Sequence, residues 1–433
     1  MTQTRPAPRR SSTADLLDRA LRVIPGGASA GGRFDFADVI VRAEGAYLWN
    51  PHGKRYIDHL NSYGPIVIGH SDRRVNEAVA QTAAVVDLNW VGPQTGEVEL
   101  AERIVDTMPS ADKVVFVNTG TDALQHALHV ARAATARPRV FKFHGHYHGW
   151  VGELGVGANF DVEPGAAPAP DAPNSGGGDP GATALVTVVD WNDAQATRAA
   201  FEAHGDEFAA VFVEPYLHSY TNAAPAPGFL ELLRDLATEH GAVLVFDEVK
   251  TGFRHHIGGY QAIAGVTPDL TAFGKALGNG YTIAGLAGRS DLMDLLGTEV
   301  TIDGTYYANP YGVAAGIATF DILRGGGVER LWQLGQRLRE GLETAIRDSG
   351  VPACVTGVGS GWIINWRPTP PVAFREAADA DLERGEKFRL AMLDAGILLP
   401  PYVITDCRLN LAFTDDDVDE TIAAARRALR LVA

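Results

Sequence analysis

From about residue 112 the chain alternates short apolar runs with longer stretches in which apolar side chains recur every three or four positions. KVVFV precedes DALQHALHVARAA, VFKF and later LVTVVD precede DAQATRAAFEAHG, and AAVFVEP precedes FLELLRDLATEHG, which leads into AVLVFDEV. An unbroken Val-rich run marks a strand covered on both faces, whereas a 3.6-residue period marks a helix with one buried side. Their alternation predicts an α/β fold, a mainly parallel central sheet with helices on both faces.

The flanks read differently. Up to about residue 75, turn signals such as PGGASAGG mix with short apolar runs. In AYLWNPHGKRYIDHL the residues Pro51, His52 and Gly53 sit where a turn would join two strands. Residues 164–182, PGAAPAPDAPNSGGGDPGA, hold too few apolar side chains to pack a core and predict a surface loop. Beyond 325 a long helical stretch, ERLWQLGQRLREGLETAIRDSG, is followed by short runs such as GWIINWRP and a closing helix, DDDVDETIAAARRALRLVA. The expected organisation is a loose tail over 1–13, an N-terminal segment over 14–75, a large α/β domain over 76–325 and an α+β domain over 326–433.

Composition narrows the function. In 433 residues, 46% hydrophobic and 21% charged, there is room for two or three domains of a water-soluble globular protein. Acidic residues outnumber basic ones 53 to 37, a formal charge of -16 that offers no general attraction to nucleic acid or anionic lipid. No apolar stretch is long enough to span a bilayer, and the basic start MTQTRPAPRRSST lacks the apolar core of a signal peptide. Two cysteines, Cys354 and Cys407, cannot build a disulfide framework or a four-thiolate metal site. The expectation is a cytoplasmic protein without membrane or nucleic-acid partners. Only six of the 37 basic residues are lysines, so chemistry that needs an amine has few candidates.

Four places can carry chemistry. KVVFV ends in Asn118-Thr119-Gly120-Thr121-Asp122 and a helix follows at once. A strand, a small-residue turn and a helix N-terminus present N–H groups and a positive dipole end to a phosphate, although Thr121 as a plain helix cap explains the same residues. AVLVFDEV ends in Asp247-Glu248, and a carboxylate at the end of a buried strand needs a partner: a protonated ring nitrogen, a metal, or a structural arginine such as Arg254. Lys275 follows the apolar run of PDLTAFGK, between Gly274 and Gly278-Asn279-Gly280, where close backbone approach can desolvate an amine into a Schiff-base nucleophile. The other lysines read as bystanders: Lys54 in a turn, Lys113 before a strand, Lys142 inside one, Lys250 just after Asp247 and Lys387 on a charged helix. In FKFHGHYHGW, His144, His146 and His148 alternate, yet no acidic or cysteine ligand follows at suitable spacing and no metal is expected. Tyr147 with His148 better suits the stacking of a flat ring.

A strand-end Asp, a strand–turn–helix phosphate site and a glycine-flanked lysine downstream of both resemble the parts of a pyridoxal phosphate enzyme. With PGG, YIDHL, GPIVIGH, VNTGTDA, YHG, DWND, VEP, FDEVKTGFR, PDLTAFGK and GTYYANP in order from about Pro25, the chain resembles the class III aminotransferases. Within that class it is most similar to the glutamate-1-semialdehyde aminomutases and the β-amino acid aminotransferases. The resemblance implies the aspartate aminotransferase-like (type I) fold with a smaller α+β domain built from both chain ends, pyridoxal 5'-phosphate as cofactor, and a homodimer with composite sites. It implies Lys275 as the Schiff-base lysine and Asp247 as the partner of the ring nitrogen, which keeps the ring protonated and able to draw off electrons. It further implies Thr119, Gly120 and Thr121 at the phosphate, Tyr147 and His148 at one ring face, Val249 on the other, and Glu214 near the ring hydroxyl. Asn192 of DWND joins the cofactor-binding set, and Gly304 and Thr305 are expected at the phosphate of the neighbouring subunit. Arg33 of PGGASAGGRF aligns with an arginine that holds a substrate carboxylate, and Tyr63 is also expected to bind substrate.

Departures from the pattern bear on the reaction. Where the aminomutase carries a glutamate this chain has Thr405, its GGGLP is here LGNGYT, and the serine and glutamate of NSGTEA are Thr119 and Asp122. They favour intermolecular transfer in two half-reactions, from an amino donor such as glutamate to a carbonyl acceptor bearing a carboxylate. Semialdehyde aminomutation and amination of a cyclic keto acid such as a dehydroshikimate are the alternatives, with Arg408 as a candidate for a second carboxylate. An oxidoreductase on a dinucleotide-binding fold lacks its G-x-G-x-x-G after an early strand, and the retained Lys275 and Asp247 argue against a cofactor-binding pseudo-enzyme.

Overall fold

The computed structural model describes residues 13–30, 38–158, 162–163, 165–166 and 169–433; Arg33 and residues 1–12 of the expected tail lie outside them. Residue 13 belongs to a helix, Thr13–Val23, not to the tail, and the turn-rich reading of this segment did not anticipate that helix. Strands β1 (Arg42–Glu44), β2 (Tyr47–Trp49) and β3 (Arg55–Asp58) follow as an antiparallel ribbon. The expected turn joins β2 to β3: Asn50 Oδ1 accepts from His52 N and Lys54 N at 3.0 and 2.9 Å, and Gly53 takes a left-handed φ of 81°.

The central sheet holds β4 (Lys113–Val117), β5 (Arg139–Phe143), β6 (Val186–Val189), β7 (Phe208–Val213), β8 (Val243–Glu248), β9 (Leu270–Phe273) and β10 (Ala284–Gly288), in the order β4-β10-β9-β8-β7-β5-β6. Strands β5 to β9 pair in parallel, as the apolar runs predict. Strand β10 runs antiparallel to both β4 and β9. Its sequence, AGLAG, lacks the β-branched residues that announce a strand, and close packing is the reason. A Cβ on Gly285 would lie 2.4 Å from Phe273 Cζ, and one on Gly288 2.5 Å from Leu270 Cδ2.

Alternate residues of the fully buried β7 serve two cores. Ala210 and Phe212 pack with Leu124, Ala127 and Leu128 of the helix Gly120–Thr135, while Val211 and Val213 pack with Phe229 and Leu233 of the helix Phe229–His240. The described part of the 164–182 segment is mostly exposed and irregular up to a helical turn at Pro180–Thr183.

Beyond the helix Val328–Ser349 come β11 (Cys354–Thr356), β12 (Gly361–Asn365), β13 (Ile397–Leu398) and β14 (Cys407–Arg408), then the helix Asp415–Val432. Strand β13 pairs in parallel with β3, and Ala46 and Ile57 share one core with Leu334, Leu338, Trp362 and Leu429. The two chain ends therefore fold onto each other. Both cysteines are free thiols, and among the described residues no helix is long and apolar enough to cross a membrane.

Candidate active site

In a parallel sheet the carboxyl ends of the strands open at one edge, and loops leaving neighbouring strands meet there. Glu214 just past β7, Asp247 near the end of β8 and Lys275 two residues past β9 come from three adjacent strands and line one cavity of about 130 Å³. Gly120, Thr121, Tyr147, Val249, Lys250 and Ser219 complete the part of its wall that matters below.

Thr119, not Thr121, caps the helix that follows β4. Its hydroxyl accepts from Asp122 N at 3.2 Å while the Asp122 carboxylate accepts from Thr119 N at 2.9 Å, a reciprocal capping box that leaves Thr119 off the cavity wall. Gly120 and Thr121 are the first helical residues, so the amino end of a 16-residue helix opens onto the cavity. Glycine is required there because a Cβ on Gly120 would stand 2.7 Å from Val249 Cγ2.

Asp247 is almost wholly buried. Its Oδ2 accepts from His148 Nδ1 at 2.8 Å and its Oδ1 from Val249 N at 3.0 Å. Burial pushes its carboxyl up to about 7 against the pull of Lys275, Lys250 and Lys142. His148 thus supports Asp247 from outside the cavity, and the expectation that it joins Tyr147 on a ring face is corrected. Arg254 does not reach Asp247 either. The three alternating histidines have separate partners: His144 meets Asp190, His146 Nδ1 accepts from Glu214 N, and His148 meets Asp247.

Glu214 accepts from Tyr147 N, His218 N, Ser219 N and Ser219 Oγ. Burial raises its carboxyl to about 7. Lys275 follows Gly274 with a φ of 43°, a left-handed conformation that strains a residue with a side chain. Burial lowers its ammonium to about 7, helped by the positive charges of Lys250 and Arg408. Over it lies a second strained stretch, Asn61, Ser62 and Tyr63, with φ of 47°, 54° and 62°. A Cβ on Gly64 would fall within 3.4 Å of Lys275 Cδ, 3.6 Å of Arg408 Nε and 3.8 Å of Arg254 Nη2, so three cationic side chains converge at that glycine. Tyr63 itself does not line the cavity.

Asp406 is the carboxylate paired directly with two of these cations, Lys250 and Arg408. It is bonded to Arg408 Nη2, accepts from His218 Nδ1 at 3.0 Å and lies 3.6 Å from Lys250 Nζ. Arg254, 1% exposed, is bonded to Gly64 O and to Ser360 Oγ at 3.4 Å, and its Nε has no partner among the described residues. Lys250, Ser219 and Asp406 were not picked out from sequence; for Lys250 the signal was a lysine four residues past the end of an all-apolar strand run.

Three predicted residues fall elsewhere. Asn192 clamps loops away from the cavity, donating to Ala224 O and Val372 O at 2.9 Å and accepting from Ala226 N at 2.7 Å. Gly304 and Thr305 do not line the cavity of their own chain; Trp90 Nε1 donates to Thr305 O at 3.3 Å.

The profile of the family described as "Aminotransferase class-III" matches residues 30–429. The glutamate-1-semialdehyde 2,1-aminomutase of Rhodopirellula baltica is 38% identical over 435 residues, covering 98% of this chain and 97% of that protein. An omega-transaminase from Sphaerobacter thermophilus superposes with a TM-score of 0.91 at 33% identity, covering 98% of each chain. A beta-phenylalanine aminotransferase from Variovorax paradoxus does so with a TM-score of 0.84 at 31% identity, covering 95% of this chain and 92% of that one. On a fold and a cavity of this kind, matched over nearly its whole length, the chain belongs to the class-III aminotransferases, enzymes that work with pyridoxal 5'-phosphate.

Proposed function

We propose that the protein is an intermolecular aminotransferase that takes an amino group from a donor such as glutamate and delivers it, in a second half-reaction, to a carbonyl acceptor bearing a carboxylate. The observation that carries this reading is the cluster of cations beside Lys275: Lys250 and Arg408 pair with Asp406, while the buried Arg254 has only the neutral partners Gly64 O and Ser360 Oγ among the described residues. Buried positive charge in excess of its counter-ions favours an anionic substrate through charge-assisted hydrogen bonds.

The residues present fit pyridoxal 5'-phosphate: a helix amino end that opens onto the cavity through Gly120 and Thr121, a buried carboxylate on the wall, and a desolvated amine. When bound, that group supplies the electron sink for breaking bonds at the amine-bearing carbon of the substrate. Gly120 and Thr121 would hold its phosphate, and Tyr147 and Val249 would flank its ring. Asp247, fixed by His148 and Val249 N, would keep a proton on the ring nitrogen. Lys275 Nζ would serve as nucleophile and then carry the proton to and from the substrate carbon. Gly304 and Thr305, outside their own cavity and beside the exposed Trp90, Val91 and Tyr306, would reach the cavity of a second copy in a homodimer.

Borohydride reduction of the cofactor-loaded protein should fix the cofactor's mass on the Lys275 peptide. Lys275→Ala should abolish that adduct and slow both half-reactions by about 10²–10⁴-fold. An adduct on another lysine would overturn the assignment. A second reading, semialdehyde aminomutation, is favoured by the aminomutase relatives at 38% and 36% identity. It requires that glutamate 1-semialdehyde be isomerised with no second substrate, whereas the proposed reaction requires both a donor and an acceptor.

A further inference from the structure

Two lysines, not one, line the cavity. Their amines are held differently. Lys250 Nζ donates to His218 O at 3.3 Å and lies 3.6 Å from Asp406 Oδ1, while no acceptor lies on Lys275 Nζ among the described residues. Asp406 is a dependable anion: burial works against its charge, yet Arg408, Lys250 and His218 hold its carboxyl well below the usual range. A single proton shared between two neighbouring amines therefore settles on Lys250, which has a carbonyl and a carboxylate to receive it.

We propose that Lys250 is a positioning residue for Lys275: its ammonium, fixed in the cavity wall by His218 O and Asp406, keeps the neighbouring amine unprotonated and nucleophilic. The charged groups facing Lys275 come from three strands and the turns after them: Lys250, Asp247 and Arg254 from β8 and the turns after it, Glu214 after β7, and Arg408 of β14. The two carboxylates among them pull the other way, but more weakly than Lys250 and Arg408, and burial raises both carboxyls to about 7. Burial also works against the Lys250 ammonium, but His218 O and Asp406 support it where nothing on Lys275 Nζ does among the described residues, and a neighbouring cation is a known way to activate a lysine amine.

The inference rests on the aminotransferase reading of Lys275, and its test uses cofactor-free protein so that the two can fail separately. Competitive acylation with a small anhydride, read by mass spectrometry of the Lys275 peptide across pH, gives the half-point of its amine. In the wild type it should lie near 7. In Lys250→Met it should rise by about one pH unit, a tenfold loss of reactive amine at neutral pH, and in Lys250→Arg it should return to within a few tenths of the wild type. Lys250→Gln, which keeps a donor for His218 O, carries the same expectation as Lys250→Met should that variant melt early. An unmoved half-point in either neutral variant, a Lys250→Arg protein that behaves like them, or an effect confined to KM for acidic substrates overturns the proposal. Borohydride fixation of the cofactor on Lys275 in the same wild-type sample tests the parent reading independently.

Discussion

Burial decides what single side chains can do here, and Gly120 shows it through an absence. Adding one methyl as Gly120→Ala would push on both Val249 methyls, at 2.7 and 2.9 Å, at the mouth of the helix. The expected result is a loss of about 1–3 kcal/mol of stability and weaker pyridoxal 5'-phosphate binding. Val249→Ala removes the clashing methyls, so the double variant should recover most of the lost stability while keeping the affinity cost of the missing ring contact; thermal melts and cofactor titrations across the four proteins measure that coupling. Lys142, inside β5, is wholly buried with its ammonium on Leu154 O and Val156 O, and burial lowers it from 10.5 to about 7. Between those values the unfolded chain binds the extra proton and the folded one does not, so stability rises with pH through that window. Denaturant titrations at several pH values should show the wild type gaining on Lys142→Met by up to about 1.4 kcal/mol per pH unit from about 7 upward. A flat difference would mean that Lys142 is not buried as described. The Met variant also leaves two carbonyls unpaired, but that offset does not vary with pH. Lys275 and Asp247 were legible in the sequence because a charge beside an apolar run demands an explanation. Lys142 and Lys250 sit equally close to such runs and were read as bystanders, since a strand's sequence does not show which of its polar residues is sealed by loops from elsewhere.

At the level of elements, the strand–helix alternation was read correctly from β4 to β8 because each apolar run is long and Val-rich. Strand β10 escaped because its glycines and alanines are selected by interstrand crowding, which one segment alone does not reveal. The same limit hid how the strained Asn61–Gly64 stretch is held over Lys275. Asn279, just past the Lys275–Gly278 turn, accepts from Val67 N and Ile68 N at 3.0 and 2.9 Å and donates to Gly69 O at 3.0 Å. This buried carboxamide ties the segment after Gly64 to the turn that carries the lysine. Asn279→Ala should strand three backbone groups and cost about 3 kcal/mol, with Asn279→Asp intermediate because it keeps the acceptor and loses the donor. Chemical denaturation gives the stability ranking. The Lys275 acylation profile shows whether the lysine loosens with the loop, and a fully stable Asn279→Ala would remove the carboxamide from this role.

For the whole molecule, the proposed homodimer turns a surface anomaly into a requirement. Val85, Trp90 and Val91 are 84%, 69% and 93% exposed, and Tyr306 is 61% exposed next to Thr305, whose carbonyl receives the Trp90 indole N–H. Large apolar side chains left this bare beside residues expected at a phosphate are explained if they meet a second copy, each chain completing the other's cavity. Complementation separates this arrangement from a monomeric site. Lys275→Ala removes the amine, and Thr305→Glu places a negative charge where the neighbour's phosphate would sit, so each homodimer should be nearly inactive. Unfolded together and refolded, random pairing makes half of the dimers mixed. In each of those, one cavity combines an intact Lys275 with an intact Thr305 from the other chain, and activity should return to about one quarter of the wild type. If Thr305 acted within its own chain, every cavity in the mixture would carry a lesion and no activity would return. Sedimentation of the same samples guards the interpretation, because recovery should appear only in the fraction that sediments as a dimer, and Val91→Arg in both chains should abolish the dimer and the recovery together.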